Sequence, residues 1–250
     1  MNKDAIELYQ PINVLKSVAE DIWLVDGSIV EMSMYGTKIP FPTRMTIVRL
    51  SDGKLWCHSP IELTSELKSQ VDTLGSVAHL VSPNKIHYAH IAAWKKAYTE
   101  STAWASPGVR ERAAHQKIEV AFDADLEDRP SDRWHEDLDQ LIFRGSRFME
   151  EVVFFHRKTA TLILTDLIEN FEPNRVSQPL NWLLKLAGAA DPDGKAPLDL
   201  RMTFIGNRDR SRIFYQKMLQ WHPERVILAH GRWYENNGTA EIRRAFRWLE

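Results

Sequence analysis

The sequence predicts an α/β fold in which mixed β-sheets are covered by helices. Segments near the N-terminus are joined by tight turns, which favours antiparallel pairing, whereas later strands alternate with helices, which favours parallel pairing. A mixed sheet system accommodates both kinds of connection. The chain has 250 residues, of which 44% are hydrophobic. This is enough to bury one large core, and we expect a single domain over residues 1–250.

The N-terminal half contains runs of β-branched and aromatic residues bounded by turn signals, which is typical of strands. Two of these runs flank Ser51-Asp52-Gly53, and Asp-Gly in such a position predicts a hairpin. Apolar residues at helical spacing predict helices over residues 64–74 and 91–98. We predict the strands of this half at residues 21–27, 43–50, 54–58, 77–81 and 102–105, the first of them ending at a turn signal.

The C-terminal half is also predicted to mix strands and helices. Residues 150–155 and 161–165 form two apolar runs, which indicates a second hairpin. Residues 106–135 are the most polar part of the chain and show no clear periodicity. We predict helices at residues 180–187 and 211–221, a strand at 225–229, and a last helix from about Thr239, with Thr239 as its N-cap.

The composition restricts the partners and the compartment. A formal net charge of -2 argues against nucleic acid and membrane surfaces, because their binders usually carry a basic excess. A small-molecule substrate or ligand is the expected partner. No apolar run approaches the ~20 residues that span a bilayer, and the N-terminus lacks a signal-peptide core. The lone Cys57 also favours a reducing cytoplasm, and the oligomeric state stays open.

Three residues of metal-ligand type follow predicted strands. His87 lies shortly after the strand at 77–81, Asp166 directly after 161–165, and His230 directly after 225–229. Functional side chains gather at strand ends in α/β folds, because loops there vary over a rigid sheet. Imidazole nitrogen and carboxylate oxygen together suit zinc or a similar divalent ion. The sequence therefore predicts a metal site built from these three residues.

Several short segments carry a resemblance to a known family. They are residues 42–46, 58–60, 81–87, 154–157, 161–168 and His230-Gly231. Together they resemble an uncharacterised family, domain of unknown function 4336, a distant relative of the metallo-β-lactamase superfamily. The resemblance implies an αββα sandwich of two mixed β-sheets, with a metal site at one edge of the sheets.

The superfamily's first metal motif is His-x-His-x-Asp-His, and its best register here covers residues 85–90. His87 and His90 match the second and last histidines of that motif. Asp166 matches the superfamily's bridging aspartate, and His230 matches its late histidine before glycine. The resemblance thus implies His87, His90, Asp166 and His230 as the candidate metal ligands.

Three positions depart from the superfamily pattern. Lys85 replaces the first histidine of the motif, and Ala89 replaces its aspartate. The middle histidine has no counterpart, and Arg147 lies in that neighbourhood. A two-metal site needs about six protein ligands, so we expect one ion at most, which could be zinc, manganese or iron.

The sequence predicts a metal-dependent hydrolase of ester, lactone, thioester or phosphoester bonds, with Asp166 and His87 as catalytic residues. One alternative is a metal-free binding protein in which Lys85, His87 and Arg147 hold an anion, and another is an interaction protein that uses its Trp and Tyr residues. Whether the chain is an enzyme stays open at this point. His58 is a further pocket candidate, but it cannot meet Cys57 because neighbouring strand residues point to opposite faces.

Overall fold

The computed structural model describes residues 6–34 and 37–250, with the side chains of 32–39 left aside. The described part forms a seven-stranded sheet and a four-stranded sheet. The large sheet contains β1 (Lys16–Ala19), β2 (Ile22–Met34), β3 (Thr37–Arg49), β4 (Leu55–His58), β5 (Val77–Val81), β6 (Thr102–Ala105) and β7 (Ala124–Asp125). The small sheet contains β8 (Leu138–Phe143), β9 (Glu151–His156), β10 (Thr161–Ile163) and β11 (Arg225–Ile227).

The helices of the described ranges divide between the two halves of the chain. They are α1 (Ser65–Leu74), α2 (Ile91–Ala97), α3 (Val109–His115), α4 (Gln178–Ala187), α5 (Leu198–Met202), α6 (Arg208–Gln220) and α7 (Gly238–Phe246), with short 3-10 helices at Pro173–Arg175 and Arg247–Leu249. None of these helices has both the length and the apolar character needed to cross a bilayer.

Both sheets are mixed, as the sequence predicts. In the large sheet, β1 to β4 pair antiparallel in chain order, and β4 to β7 pair parallel. In the small sheet, β8, β9 and β10 pair antiparallel, and β11 pairs parallel with β10. The two predicted hairpins are confirmed as β3–β4 and β9–β10.

Apolar side chains between the sheets form the inner layer of the fold. Trp56 and Val81 of the large sheet belong to the same buried cluster as Phe154 and Ile163 of the small sheet. The rings of Trp56 and Phe154 meet edge to face, with centroids 4.7 Å apart, a favourable aromatic geometry.

The outer face of each sheet is covered by helices. Leu67 of α1 and Trp94 of α2 pack into the cluster on the large sheet. Tyr215 of α6 and Phe246 of α7 pack into the cluster on the small sheet. Helix, sheet, sheet and helix therefore follow one another, and the αββα sandwich is confirmed.

The predicted turn at the end of the first strand is wrong, because β2 continues through Asp26 and Gly27 to Met34. The pairing of β2 with β3 shifts its register between Asp26 and Ile29. A Cβ on Gly27 would lie 2.4 Å from the Thr43 hydroxyl. The glycine therefore allows close approach of the two strands and does not form a turn.

The predicted N-cap of the last helix is also wrong. Helix α7 begins at Gly238, and its N-cap position is Asn237 in the left-handed region, with φ of 58°. The Thr239 hydroxyl instead donates to the Pro223 carbonyl at 3.0 Å. By contrast, Thr64 caps α1 by accepting the Leu67 N–H at 3.1 Å, which matches the helix predicted there.

Candidate metal centre

The strand topology brings the three predicted ligands to one edge of the sandwich. Strands β10 and β11 are parallel neighbours, so the loops after them carry Asp166 and His230 to the same end of the small sheet. The loop after β5 brings His87 to this point from the large sheet. The site therefore lies where the carboxyl ends of strands from both layers meet.

Two imidazoles flank one carboxylate at the centre of this site. His87 Nε2 lies 3.1 Å from Asp166 Oδ2, and His230 Nε2 lies 3.2 Å from Asp166 Oδ1. One donor atom from each of the three residues lies within 4.8 Å of the others. Asp166 and His230 are buried, and His87 is nearly so.

The three residues fit a divalent metal by donor type and by spacing. Zinc binds imidazole nitrogen and carboxylate oxygen at about 2.0–2.2 Å, so two ligands of one ion lie at most about 4.4 Å apart. The separations of 3.1 and 3.2 Å lie within this limit, and all three donor atoms lie within 4.8 Å of one another. His230 Nδ1 and His90 Nε2 are buried without a hydrogen-bond partner among the described residues, so the site offers unpaired imidazole nitrogen.

The Ser59 hydroxyl orients His87. Its Oγ lies 2.7 Å from His87 Nδ1. When Nδ1 carries the proton and donates it to this oxygen, Nε2 keeps its lone pair for a metal. Ser59 has φ of 54°, a left-handed conformation that costs a non-glycine residue about 1–2 kcal/mol. Strain of this kind clusters at functional sites.

A buried network of hydrogen bonds holds the Asp166 carboxylate in place. The side-chain amide of Asn84 donates to Asp166 Oδ2 at 2.6 Å and to Thr165 Oγ1 at 2.9 Å. Glu151 accepts the backbone N–H groups of Thr165 and Asp166, each at 2.8 Å. These bonds fix the Asp166 carboxylate between the two imidazoles.

Glu151 and Glu150 play different parts, as their alternation along the strand predicts. Burial, followed by the charge of Asp166, raises the pKa of Glu151 to about 6. Glu150 lies on the other face, where Arg144 Nε approaches its carboxylate at 3.5 Å. Sequence reasoning missed that Glu151 supports the site.

Arg44 holds the loop that carries His230. Its guanidinium donates from Nη1 to the carbonyls of Leu228 and Gly231, at 2.8 and 2.7 Å. Its Nε donates to Asp26 at 2.8 Å, which ties the loop to the large sheet. Gly231 has φ of 88°, and a Cβ there would lie 2.1 Å from the Asn170 carbonyl oxygen. The loop after β11 is thus fixed on both sides of His230.

The charges of the site are coupled. Burial alone would raise the pKa of Asp166, but the charge of His87 and hydrogen bonds from both imidazoles lower it well below its usual range. Burial lowers the pKa of His230. For His87, the attraction of Asp166 outweighs burial and raises the pKa. In the absence of metal, the Asp166 charge therefore favours the protonated form of His87.

His90 and His58 lie beside the centre. His90 immediately precedes α2 and lines a small cleft together with His87 and His230, but it is outside the group whose donor atoms lie within 4.8 Å. His58 is buried between the sheets, stacks on Trp56, and leaves its Nε2 unpaired among the described residues. Burial lowers the pKa of His58 to about 3, which keeps the ring neutral.

Cys57 lies on the opposite face of β4 from His58, as predicted. It packs into the cluster beneath the helices of the large sheet, whereas His58 faces Phe154 of the small sheet. The two side chains are therefore separated by the sheet.

Lys85 and Arg147 each contact a group other than the three ligands. The Lys85 ammonium lies over the Phe148 ring, 4.3 Å from its centroid. Arg147 is exposed, and its guanidinium donates to the Ile205 carbonyl at 2.9 Å. The structure thus directs these two cations to an aromatic face and a backbone carbonyl.

The family model described as Domain of unknown function (DUF4336) matches residues 20–181, which is more than half of the chain. The chain belongs to this family. The matched range includes His87 and Asp166 and ends before His230. No curated protein matches the chain in sequence.

Three solved structures similar to this DUF4336 protein are described with a metal. The DIM-1 metallo-β-lactamase has a TM-score of 0.62 at 15% identity, covering 98% of this chain and 99% of that chain. FIM-1 from Pseudomonas aeruginosa, in its mono-zinc form, has a TM-score of 0.61 at 12% identity and covers 98% of both chains. The metal-soaked Flv1 flavodiiron core from Synechocystis sp. PCC6803 has a TM-score of 0.62 at 11% identity, covering 98% of this chain and 61% of that chain. These likenesses show the metallo-β-lactamase fold and confirm the predicted fold class.

Proposed function

We propose that this DUF4336 protein is a metal-dependent hydrolase with a single-ion centre held by His87, Asp166 and His230. The observation that carries the proposal is the convergence of two imidazoles and one carboxylate within 4.8 Å. Three protein ligands leave a fourth position for water, which is the arrangement of catalytic rather than structural zinc sites.

The residues around the centre have defined tasks in this proposal. A divalent ion bound there would lower the pKa of water to about 7 and so supply hydroxide at neutral pH. Asp166 balances part of the ion's charge, and the Asn84 amide holds its Oδ2 in place. Ser59 fixes the tautomer of His87. His90 borders the same cleft, and its Nε2 is buried without a hydrogen-bond partner among the described residues.

The donor set favours zinc, with manganese and iron as the other candidates. Two imidazoles and a carboxylate suit all three metals, and they lack the thiolates that select softer ions. Among the similar folds, FIM-1 is described in a mono-zinc form and Flv1 as a flavodiiron core. One ion suffices for the ligands present.

Metal analysis of the protein without a histidine tag tests the proposal. We expect about one equivalent of zinc, manganese or iron after exposure to the metal and dialysis. Asp166→Asn and His230→Gln should each reduce uptake below a tenth of an equivalent. His135→Gln is the matched control, because His135 is half exposed and contacts Glu136 and the Asp132 carbonyl near it in the chain. Uptake below a tenth of an equivalent by the unmodified protein would reject the metal centre.

Hydrolysis is then tested with neutral esters, lactones, thioesters and phosphoesters. The expected result is an activity that disappears with a chelator and returns with the same metal. An activity that survives chelation, or that Asp166→Asn retains in full, contradicts the assignment. The metal-free alternative has less support, because Lys85 and Arg147 contact Phe148 and Ile205 rather than a shared anion site with His87.

A further inference from the structure

A chamber of about 220 Å³ opens directly beside the metal centre. Asp166 and His230 are among its lining residues, and Phe171 stacks over His230 with an interplanar angle of 10°. Asp199 also lines the chamber and is exposed, so the chamber opens to solvent beside it. A ligand in the chamber thus lies next to the candidate metal centre.

The walls of the chamber are mostly apolar. Aromatic, aliphatic and small side chains from the β2–β3 hairpin, α4, α5 and the loops after β5 and β10 make up most of the lining, among them Phe41, Ile86, Phe171, Leu180, Leu184 and Leu200. Apolar pockets with a few polar groups are the usual form of small-molecule sites. The candidate metal centre contributes Asp166 and His230 to this lining.

The ionisable side chains that line the chamber are mainly acidic. Its lining residues with ionisable side chains are Asp166, Glu169, Asp199 and His230, and no lysine or arginine is among the described lining residues. Recognition of phosphate or carboxylate normally requires such cations. Glu169 is buried, and burial followed by the Asp166 charge raises its pKa well above the usual range. The chamber therefore suits a neutral ligand.

The volume limits the length of that ligand. An apolar cavity of ~150 Å³ accommodates benzene, and a water-sized group occupies about 30 Å³. A chamber of 220 Å³ therefore holds roughly seven such groups. An aliphatic chain of about six to eight carbons fills it.

We propose that the chamber binds the acyl chain of a neutral carboxylic ester or thioester, with the scissile carbonyl at Asp166 and His230. This substrate class rests on the proposed hydrolase function. Hydrolysis forms a bond between water oxygen and the carbonyl carbon, breaks the bond from that carbon to the alcohol oxygen or thiol sulfur, and transfers a proton of the water to the departing group. No lysine or arginine among the described lining residues could hold a phosphate along the chamber, so carboxylic esters and thioesters are favoured over phosphoesters.

Binding of 1-alkanols from butanol to decanol to the full-length protein tests the chamber without any catalytic step. Affinity, measured by ligand-observed NMR, should rise about fourfold per methylene, which corresponds to burial of ~0.8 kcal/mol per CH₂. The rise should stop between six and eight carbons. Octyl phosphate should bind to the metal-free protein at least tenfold more weakly than octanol. Equal affinity along the series, or tighter binding of octyl phosphate, overturns the proposal.

Two substitutions on one helix provide a matched comparison. Leu184 lines the chamber, whereas its neighbour Leu183 is 59% exposed on the outer side of α4. Leu184→Trp should weaken octanol binding tenfold or more by filling the chamber, and Leu183→Trp should change it less than twofold. Leu180→Trp, also in the lining, replaces Leu184→Trp if that variant does not fold. Equal effects of the lining and outer substitutions refute the assignment.

Hydrolysis of 4-nitrophenyl esters from acetate to decanoate by the zinc-loaded protein separates the two proposals. A kcat/KM that increases with chain length up to six to eight carbons, and loses this increase in Leu184→Trp, supports both. Chain-dependent alkanol binding without hydrolysis of any ester supports the chamber and rejects the hydrolase. Hydrolysis that is independent of chain length supports the hydrolase and overturns the chamber.

Discussion

Arg44→Met removes the bonds that hold the His230 loop. The Arg44 side chain is only 4% exposed and donates to Asp26 at 2.8 Å and to the carbonyls of Leu228 and Gly231 at 2.8 and 2.7 Å. Methionine has similar length but no charge or donor. The substitution therefore leaves two backbone carbonyls unpaired and the Asp26 carboxylate with fewer partners.

The expected loss of stability follows from these contacts. Breaking a buried ion pair by removing one partner costs about 3–5 kcal/mol. Lys16 lies 2.8 Å from the other Asp26 oxygen and keeps that carboxylate paired, so we expect the lower part of this range, about 3 kcal/mol. Zinc affinity should fall about 10- to 100-fold, as is typical when a residue behind a metal ligand is lost.

Arg49→Met is the matched control on the same strand. Arg49 pairs with Asp21 at 2.6 Å, but its side chain is 42% exposed, and exposed pairs contribute at most about 1 kcal/mol. Urea unfolding followed by tryptophan fluorescence compares both variants, provided that their m-values agree. Zinc titration of the folded proteins gives the second readout. Equal stability losses in the two variants, or an unchanged zinc affinity in Arg44→Met, would refute the reasoning.

Two further substitutions test the loop geometry and the support of Asp166. Gly231→Ala should destabilise the protein by about 2–4 kcal/mol, because the new Cβ would overlap the Asn170 carbonyl. Gly53 also has a positive φ but open space around it, so Gly53→Ala should destabilise the protein by only about 1 kcal/mol. Equal losses by urea unfolding contradict this explanation. Asn84→Ala should cost about 2–3 kcal/mol and weaken zinc binding at least tenfold, since Asp166 loses its 2.6 Å hydrogen bond; a zinc affinity within twofold of the unmodified protein contradicts that role.

Local sequence signals predicted much of the fold. The β3–β4 hairpin and α1 depend on short-range turn and cap chemistry, and both are confirmed. Strand β8 was missed, because Gln140 interrupts its apolar face. Its side chain is buried only because Trp134 donates to it at 3.1 Å and it donates to the Glu127 carbonyl at 2.7 Å. Partners of this kind are not visible in a sequence pattern.

The sequence predicted the ligands of the candidate centre but not the residues that support them. Ligand-type residues after strands identified the positions that converge, because strand ends are readable from apolar runs. The supporting bonds span much longer separations in the chain. Asn84 and Asp166 are 82 positions apart, and Arg44 and Gly231 are 187 apart. Only the sandwich topology brings such pairs together, so no local pattern predicts them.

The pH dependence of stability gives a separate test of the sandwich interior at His58. Burial lowers its pKa to about 3 in the folded protein, whereas an unfolded histidine titrates near ~6.5. Below about pH 6.5 the unfolded state therefore binds more protons at this histidine than the folded state does. The stability contributed by the neutral, buried ring is fully present above about pH 6.5 and is lost as the pH falls. From pH 7 to pH 5 this one group should lower the free energy of unfolding by about 2 kcal/mol.

His58→Phe keeps a ring against Trp56 and Phe154 but binds no proton. Its stability relative to the unmodified protein should therefore rise by about 2 kcal/mol between pH 7 and pH 5. His135→Phe, at a half-exposed position, should follow the unmodified protein over the same range. Urea unfolding at several pH values measures the stability of each variant relative to the unmodified protein. Taking this difference cancels the titration of all groups that the proteins share. A His58→Phe curve parallel to that of the unmodified protein would show that the ring becomes protonated inside the sandwich, and the dry packing between the sheets would then be wrong.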